Sequence, residues 1–268
     1  MPPLLTVTDL RVTLNTGRGP AEALRGVSFA LESGRTLGLI GESGCGKSLT
    51  ALALMGLLPE GARVSGSIHF DGQELTTLDE AALCKLRGNR IAMVFQEPMT
   101  ALNPLQSIGH QIAEPLRLHR GLSSAAARAE ALRLLQRVQL PQAAARLAAY
   151  PHQLSGGQRQ RVVIAIALAC GPALLIADEP TTALDVTVQR EVLKLILELV
   201  REDNMALLLI SHDLGVMTRS VERVMVMYGS ARAAANARPS VVLPLAGRPL
   251  TATKRVRSEE HTSELQSL

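Results

Sequence analysis

Three short segments have the residue types and spacing to handle a polyphosphate. Gly41-Glu42-Ser43-Gly44-Cys45-Gly46-Lys47-Ser48 fits the pattern Gly-x-x-x-x-Gly-Lys-Ser/Thr. Glycines there allow backbone conformations that a Cβ forbids, so successive N–H groups can converge on phosphate oxygens. In such a loop Lys47 reaches the β- and γ-phosphates and the Ser48 hydroxyl holds Mg2+. Asp178 and Glu179 end an apolar run. An Asp so placed binds Mg2+, through a water, and the following Glu polarises the attacking water as general base. In Ser155-Gly156-Gly157-Gln158 the Ser and Gln stand three apart, as in a capping box that opens a helix. The two glycines leave its first N–H groups uncovered, which suits an anion. An ordinary capped helix fits the same residues.

These segments need elements to position them. Short apolar runs at 36–40, 91–95, 174–177 and 206–210 predict buried strands. Residues 4–14, 27–31 and 65–70 predict further strands, with a loop over 15–20. A helix is expected over 48–58, stopped by Pro59, and another from the capping box to Gly171-Pro172. Residues 186–202 carry Val192, Leu195, Ile196 and Leu199 on one helical face. Residues 109–147 are rich in Ala, Leu, Arg and Gln at helical spacing and predict an all-helical subdomain, spanning about 97–165. The fold class is therefore α/β. A mainly parallel sheet is flanked by helices, with that helical subdomain inserted and an antiparallel β portion at the N-terminus.

Composition narrows the choice of function. Hydrophobic residues make up 47% but aromatics only 2%, so Leu, Val, Ile, Ala and Met must build the core. Cys45, Cys84 and Cys170 lie far apart, which argues against a disulfide framework or a zinc site and fits a reducing compartment. No leader pattern opens the sequence, and the apolar run at 162–177 is too short and broken for a membrane span. The net charge of +4 resides mostly in the tail. Setting aside its six basic and three acidic residues leaves 22 basic and 21 acidic in the rest, so no nucleic-acid footprint is expected.

The ordered set of motifs resembles the ATP-binding cassette (ABC) ATPases, members of the P-loop NTPases, over 1–229. The set runs from the phosphate loop through Gln96 in Val94-Phe95-Gln96-Glu97-Pro98 to Leu154-Ser155-Gly156-Gly157-Gln158. Asp178-Glu179-Pro180, Ala183-Leu184-Asp185 and Ser211-His212-Asp213 complete it. The resemblance implies two cassettes sandwiching two ATP molecules with Mg2+. It places Ser155 and Gly157, within the 155–158 signature, on the γ-phosphate held by the partner's phosphate loop. Gln96 then joins metal and water to the helical subdomain, Asp185 crosses the dimer interface, and His212 holds the γ-phosphate. The family stacks adenine on an aromatic side chain where this sequence has Leu14, so ATP affinity is expected at the low end. His69, His110, His119 and His152 are read as surface or packing residues.

Finer wording is similar to the oligopeptide and dipeptide importers. It includes Met99-Thr100-Ala101-Leu102-Asn103-Pro104, Tyr150-Pro151-His152-Gln153, Thr181-Thr182-Ala183-Leu184-Asp185-Val186, and Glu114-Pro115-Leu116-Arg117-Leu118-His119-Arg120-Gly121 in the manner of the microcin C branch. The resemblance implies ATP-driven peptide import at the cytoplasmic face of the inner membrane. The implied partners are a second cassette, transmembrane permeases and, indirectly, an extracytoplasmic solute-binding protein. A soluble ABC ATPase acting on nucleic acid or ribosomes, and a non-functional fragment, are the alternatives. Residues 230–268 leave the family pattern, and 257–267 resemble the translation of a sequencing adapter. That tail is expected to be aberrant or disordered.

Overall fold

The structure, a computed structural model, describes residues 2–17, 19–182, 184–228 and 240–244. An antiparallel sheet comes first. Its strands β1 (Leu5–Thr16), β2 (Gly19–Leu31), β4 (Arg63–Phe70) and β5 (Gln73–Glu74) lie in the order β2-β1-β4-β5. The second sheet contains β3 (Thr36–Gly41), β6 (Ile91–Val94), β7 (Leu174–Asp178), β8 (Ala206–Ile210), β9 (Arg223–Met227) and β10 (Ser240–Pro244), in the order β10-β9-β3-β8-β7-β6. All its pairings are parallel except that of β10 with β9.

The expected loop over 15–20 is instead the tip of a hairpin. Asn15 pairs with Pro20 and Thr16 with Gly19, so both strands run into the turn. Alternation hid this because β1 is bulged. Buried Leu5 and Val7 are followed by buried Leu10 and Val12, with the register shift between Val7 and Leu10. One extra residue reverses which parity faces the core. Asp9 at φ 47 takes up the bend.

The helices are α1 (Lys47–Leu54), α2 (Glu80–Leu86), α3 (Pro98–Ala101), α4 (Ile108–Arg120), α5 (Ser124–Arg137), α6 (Ala143–Arg146), α7 (Gly156–Leu168), α8 (Val186–Glu202) and α9 (Leu214–Ser220). Helix α1 ends well before Pro59. Gly56, at φ 62, donates to Ala53 O at 3.1 Å, and Leu57 donates to Leu52 O at 2.8 Å. That pair of bonds is a Schellman termination, for which a left-handed glycine is the natural residue.

Strands of the parallel sheet are buried on both faces. Leu175, Ala177, Leu207, Leu209 and Val224 belong to a core shared with α4, α5, α7 and α8. Leu174, Ile176, Leu208, Ile210 and Met225 join the core beneath the antiparallel sheet. The parallel strands are therefore clamped between two apolar layers, and their C-terminal ends form one rigid edge. Arg137 of α5 binds Asp203, just past α8, through two nitrogens at 2.6 and 2.8 Å, tying helical subdomain to core.

Candidate active site

Four loops leave the C-terminal edge of the parallel sheet, where open α/β sheets bind ligands. In sheet order they follow β3, β8, β7 and β6. They carry the 41–48 loop, His212, Asp178 with Glu179, and Gln96. No two of these segments adjoin in sequence. Sheet order alone sets them side by side.

The 41–48 loop passes directly into α1. Gly46 caps the helix at φ 97 with no side-chain cap, and Gly44 stands at φ 80. Both lie in the left-handed region open to glycine. Lys47 is only 7% exposed. Its Nζ donates to Gly41 O at 2.8 Å and Glu42 O at 3.0 Å, and lies 3.7 Å from the buried Cys45 Sγ. Glu42, Ser43, Gly44 and Ser48 face solvent. The ammonium is thus folded back onto the carbonyls of its own loop.

Asp178 closes β7 and is buried. Burial pushes its carboxyl above the ordinary Asp range, and the Glu179 charge adds to this, while the Ser48 hydroxyl and Lys47 oppose it. Its Oδ1 has no hydrogen-bond partner. A buried, orphaned carboxylate oxygen beside a serine hydroxyl is a donor set that fits a hard cation such as Mg2+.

Glu179 is the convergence point. Its φ of 43 is uncommon for a residue with a side chain, and its N–H donates to Ile210 O at 3.0 Å. Gln96 Nε2 donates to Oε2 at 3.2 Å, Thr182 Oγ1 donates to Oε2 at 2.9 Å, and His212 Nδ1 lies 3.3 Å from Oε1. The sequence motifs give Glu179 the attacking water, Gln96 the metal and that water, and His212 the γ-phosphate, with no direct contact among the three. The structure joins all three directly. Thr182 was missed. Its signal was its position three residues after Glu179, in the turn where Thr182 N donates to Glu179 O at 3.3 Å.

The 155–158 segment is a satisfied helix start. Ser155 Oγ accepts from Gln158 N at 3.4 Å, and Gln158 Oε1 accepts from Ser155 N at 3.1 Å. A Cβ on Gly157 would come within 2.7 Å of Val188 Cγ1, and one on Gly156 within 3.3 Å of Leu184 Cδ2. These glycines therefore let the start of α7 lie against the start of α8. Asp185 caps α8, its Oδ1 accepting from Thr187 N at 3.1 Å and Val188 N at 3.0 Å. Leu14 is half-buried against the core under the antiparallel sheet. His69 meets Ser67 and Glu74, and His152 stacks on Tyr150 with centroids 5.9 Å apart. No helix among the described residues is long and apolar enough to cross a membrane.

Comparison with known proteins is consistent with this geometry. Residues 24–182 match the family described as ABC transporter. The sequence is 53% identical over 225 residues to the oligopeptide transport ATP-binding protein OppD of Salmonella typhimurium, covering 84% of this chain and 67% of that one. It is 49% identical over 230 residues to AppD of Bacillus subtilis, an oligopeptide transport ATP-binding protein, covering 85% and 70%. Among solved structures, the dimeric post-hydrolysis state of the ATP-binding cassette MJ0796 bound to ADP and Pi has a TM-score of 0.77 at 28% identity, covering 91% of this chain and all of that one.

Proposed function

The chain belongs to the ABC transporter family, and from that premise we propose that it is the ATP-hydrolysing subunit of an importer of peptides or peptide-like solutes. The observation that carries the reading is the Glu179 carboxylate held by residues from three loops, beside the Asp178–Ser48 pair and the lysine-bearing loop. The peptide substrate is supported by the names of relatives at about half identity, which also disfavour action on nucleic acid or ribosomes.

In this reading the N–H groups of the 41–48 loop and the start of α1 seat the phosphates, and Lys47 leaves its carbonyl partners to meet the β- and γ-oxygens. Ser48, Asp178 and Gln96 hold Mg2+, which when bound neutralises charge on the phosphate oxygens. Glu179 takes the proton of the attacking water and His212 holds the γ-phosphate. Leu14 stands where adenine packs. A second cassette, as another copy, a related chain or a second cassette of a longer chain, supplies Ser155, Gly157 and Asp185 across the sandwich. Such pairing is supported by the dimeric MJ0796 cassette. Transmembrane permeases then anchor the pair at the cytoplasmic face of the membrane, and an external solute-binding protein delivers the cargo.

Glu179→Gln tests the chemistry. It keeps ATP and accumulates an ATP-bound dimer in size-exclusion chromatography, while turnover falls by about 10²- to 10⁴-fold, the share of a general base. Wild-type turnover in that variant sinks the assignment. Co-purified permeases raise ATPase activity and RNA does not. The reverse pattern overturns the transport reading.

A further inference from the structure

We propose that Thr182 is a positioning residue for Glu179, and that it divides the carboxylate into a held oxygen, Oε2, and a working oxygen, Oε1. The inference rests on the reading of Glu179 as general base and assigns the atom of that base that takes the proton.

The two oxygens differ in what surrounds them. Oε2 accepts from Thr182 Oγ1 at 2.9 Å and from Gln96 Nε2 at 3.2 Å. Among the described residues Oε1 meets only His212 Nδ1, at 3.3 Å. Each carboxylate oxygen has two lone-pair sites. Two donors fill those of Oε2, and one site on Oε1 stays free. A proton arriving from water therefore goes to Oε1.

Thr182 is the donor best placed to fix that orientation. Its hydroxyl has a single proton and two acceptors in range, Glu179 Oε2 at 2.9 Å and Glu179 O at 3.2 Å. The carboxylate is the nearer and the charged one, so it wins the proton. The threonine sits in the same turn as the base, with Thr182 N donating to Glu179 O. Base and positioner thus move together. Gln96 and His212 come from the separate loops after β6 and β8.

The step then balances. A water O–H proton passes to Oε1 as the water oxygen bonds to the γ-phosphorus. The bond from that phosphorus to the β,γ-bridging oxygen breaks, and its electron pair leaves with ADP. The products are ADP and phosphate.

Thr182→Val keeps the shape and removes the donor. Thr182 is exposed, so the fold tolerates the change. The expected result is a kcat about 10- to 100-fold lower, the upper end being the cost of a ~1 Å misplacement of a catalytic group. KM for ATP and Tm stay unchanged, and Thr182→Ser, which restores the hydroxyl, recovers most of the loss. Wild-type kcat in Thr182→Val, alongside an inactive Glu179→Gln, overturns the positioning role and leaves the base intact. Equal losses in Thr182→Val and Thr182→Ser overturn it as well, because the methyl group would then matter and not the donor. Wild-type turnover in Glu179→Gln removes the base and this inference with it.

Discussion

The starts of α1 and α7 are both glycine-rich helix N-termini, and they are built in opposite ways. Gly46 caps α1 from the left-handed region and offers no side chain to its first N–H groups. Ser155 caps α7 from the extended region, and Gln158 returns the bond. At α1 no side chain caps the first N–H groups, and Lys47 has only to turn from Gly41 O and Glu42 O toward an incoming anion. At α7 the N–H groups of Ser155 and Gln158 are taken by the capping box, so an anion that claims them must displace Gln158 Oε1 and Ser155 Oγ. One end is ready before a nucleotide arrives. In the proposed sandwich the other engages when the gain from closure exceeds the loss of its cap, which is worth about 0.5–2 kcal/mol. In the proposed reading, nucleotide therefore reaches the α1 side first and the α7 side second.

The largest expected effect separates the two ends at α1. Lys47→Ala removes a charge-assisted donor worth about 1.5–3 kcal/mol, so calorimetry should find ATP binding about 10- to 100-fold weaker. Unchanged affinity would mean that the lysine stays on Gly41 O and Glu42 O when nucleotide binds. A smaller effect is expected from Gly157→Ala. Its Cβ would sit 2.7 Å from Val188 Cγ1, so Val188 or the start of α7 must give way. ATP binding to the single chain should hold, while ATP-driven pairing, measured on a Glu179→Gln background, weakens by about tenfold, or ~1.4 kcal/mol. If pairing is intact, α7 and α8 do not need this close approach.

The smallest effect concerns stability at the α1 side. Asp178 has its carboxyl raised, first by burial. A carboxyl raised in the folded state favours folding most when protonated, and that advantage is lost as pH rises through its folded value. Asp178→Asn should therefore melt higher than wild type near pH 7 without nucleotide. The gap should close as pH falls to the ordinary Asp range near ~4, in thermal melts across pH. A gap that widens toward acid would reverse the sign and deny the burial argument.

Much of this molecule was readable as a string of residues. Helix 186–202 and strand 206–210 have the expected bounds because each is an unbroken periodic or apolar run between clear stops. Helices α2 and α9 went unread, although Asp79 and Asp213 cap them by accepting from Ala82 N and Val216 N. Their apolar faces are too short to show a period. Strand β2 was read at less than half its length because the bulge at Asp9 and the left-handed Gly26 break alternation on both sides of the hairpin.

The residue types of the site were fixed locally. A phosphate loop, a strand-end acid pair and a capping box are short-range patterns, since each depends on backbone conformation within a few residues. Which groups touch was settled at long range. Glu179 meets Gln96 across 83 residues and His212 across 33, and only the order β3-β8-β7-β6 makes those meetings possible. The reason is that hydrogen bonding between parallel strands ignores distance along the chain and answers only to register, which no local pattern encodes. Folding also gives Gly157 a reason that no local pattern shows: it leaves the space that Val188 occupies.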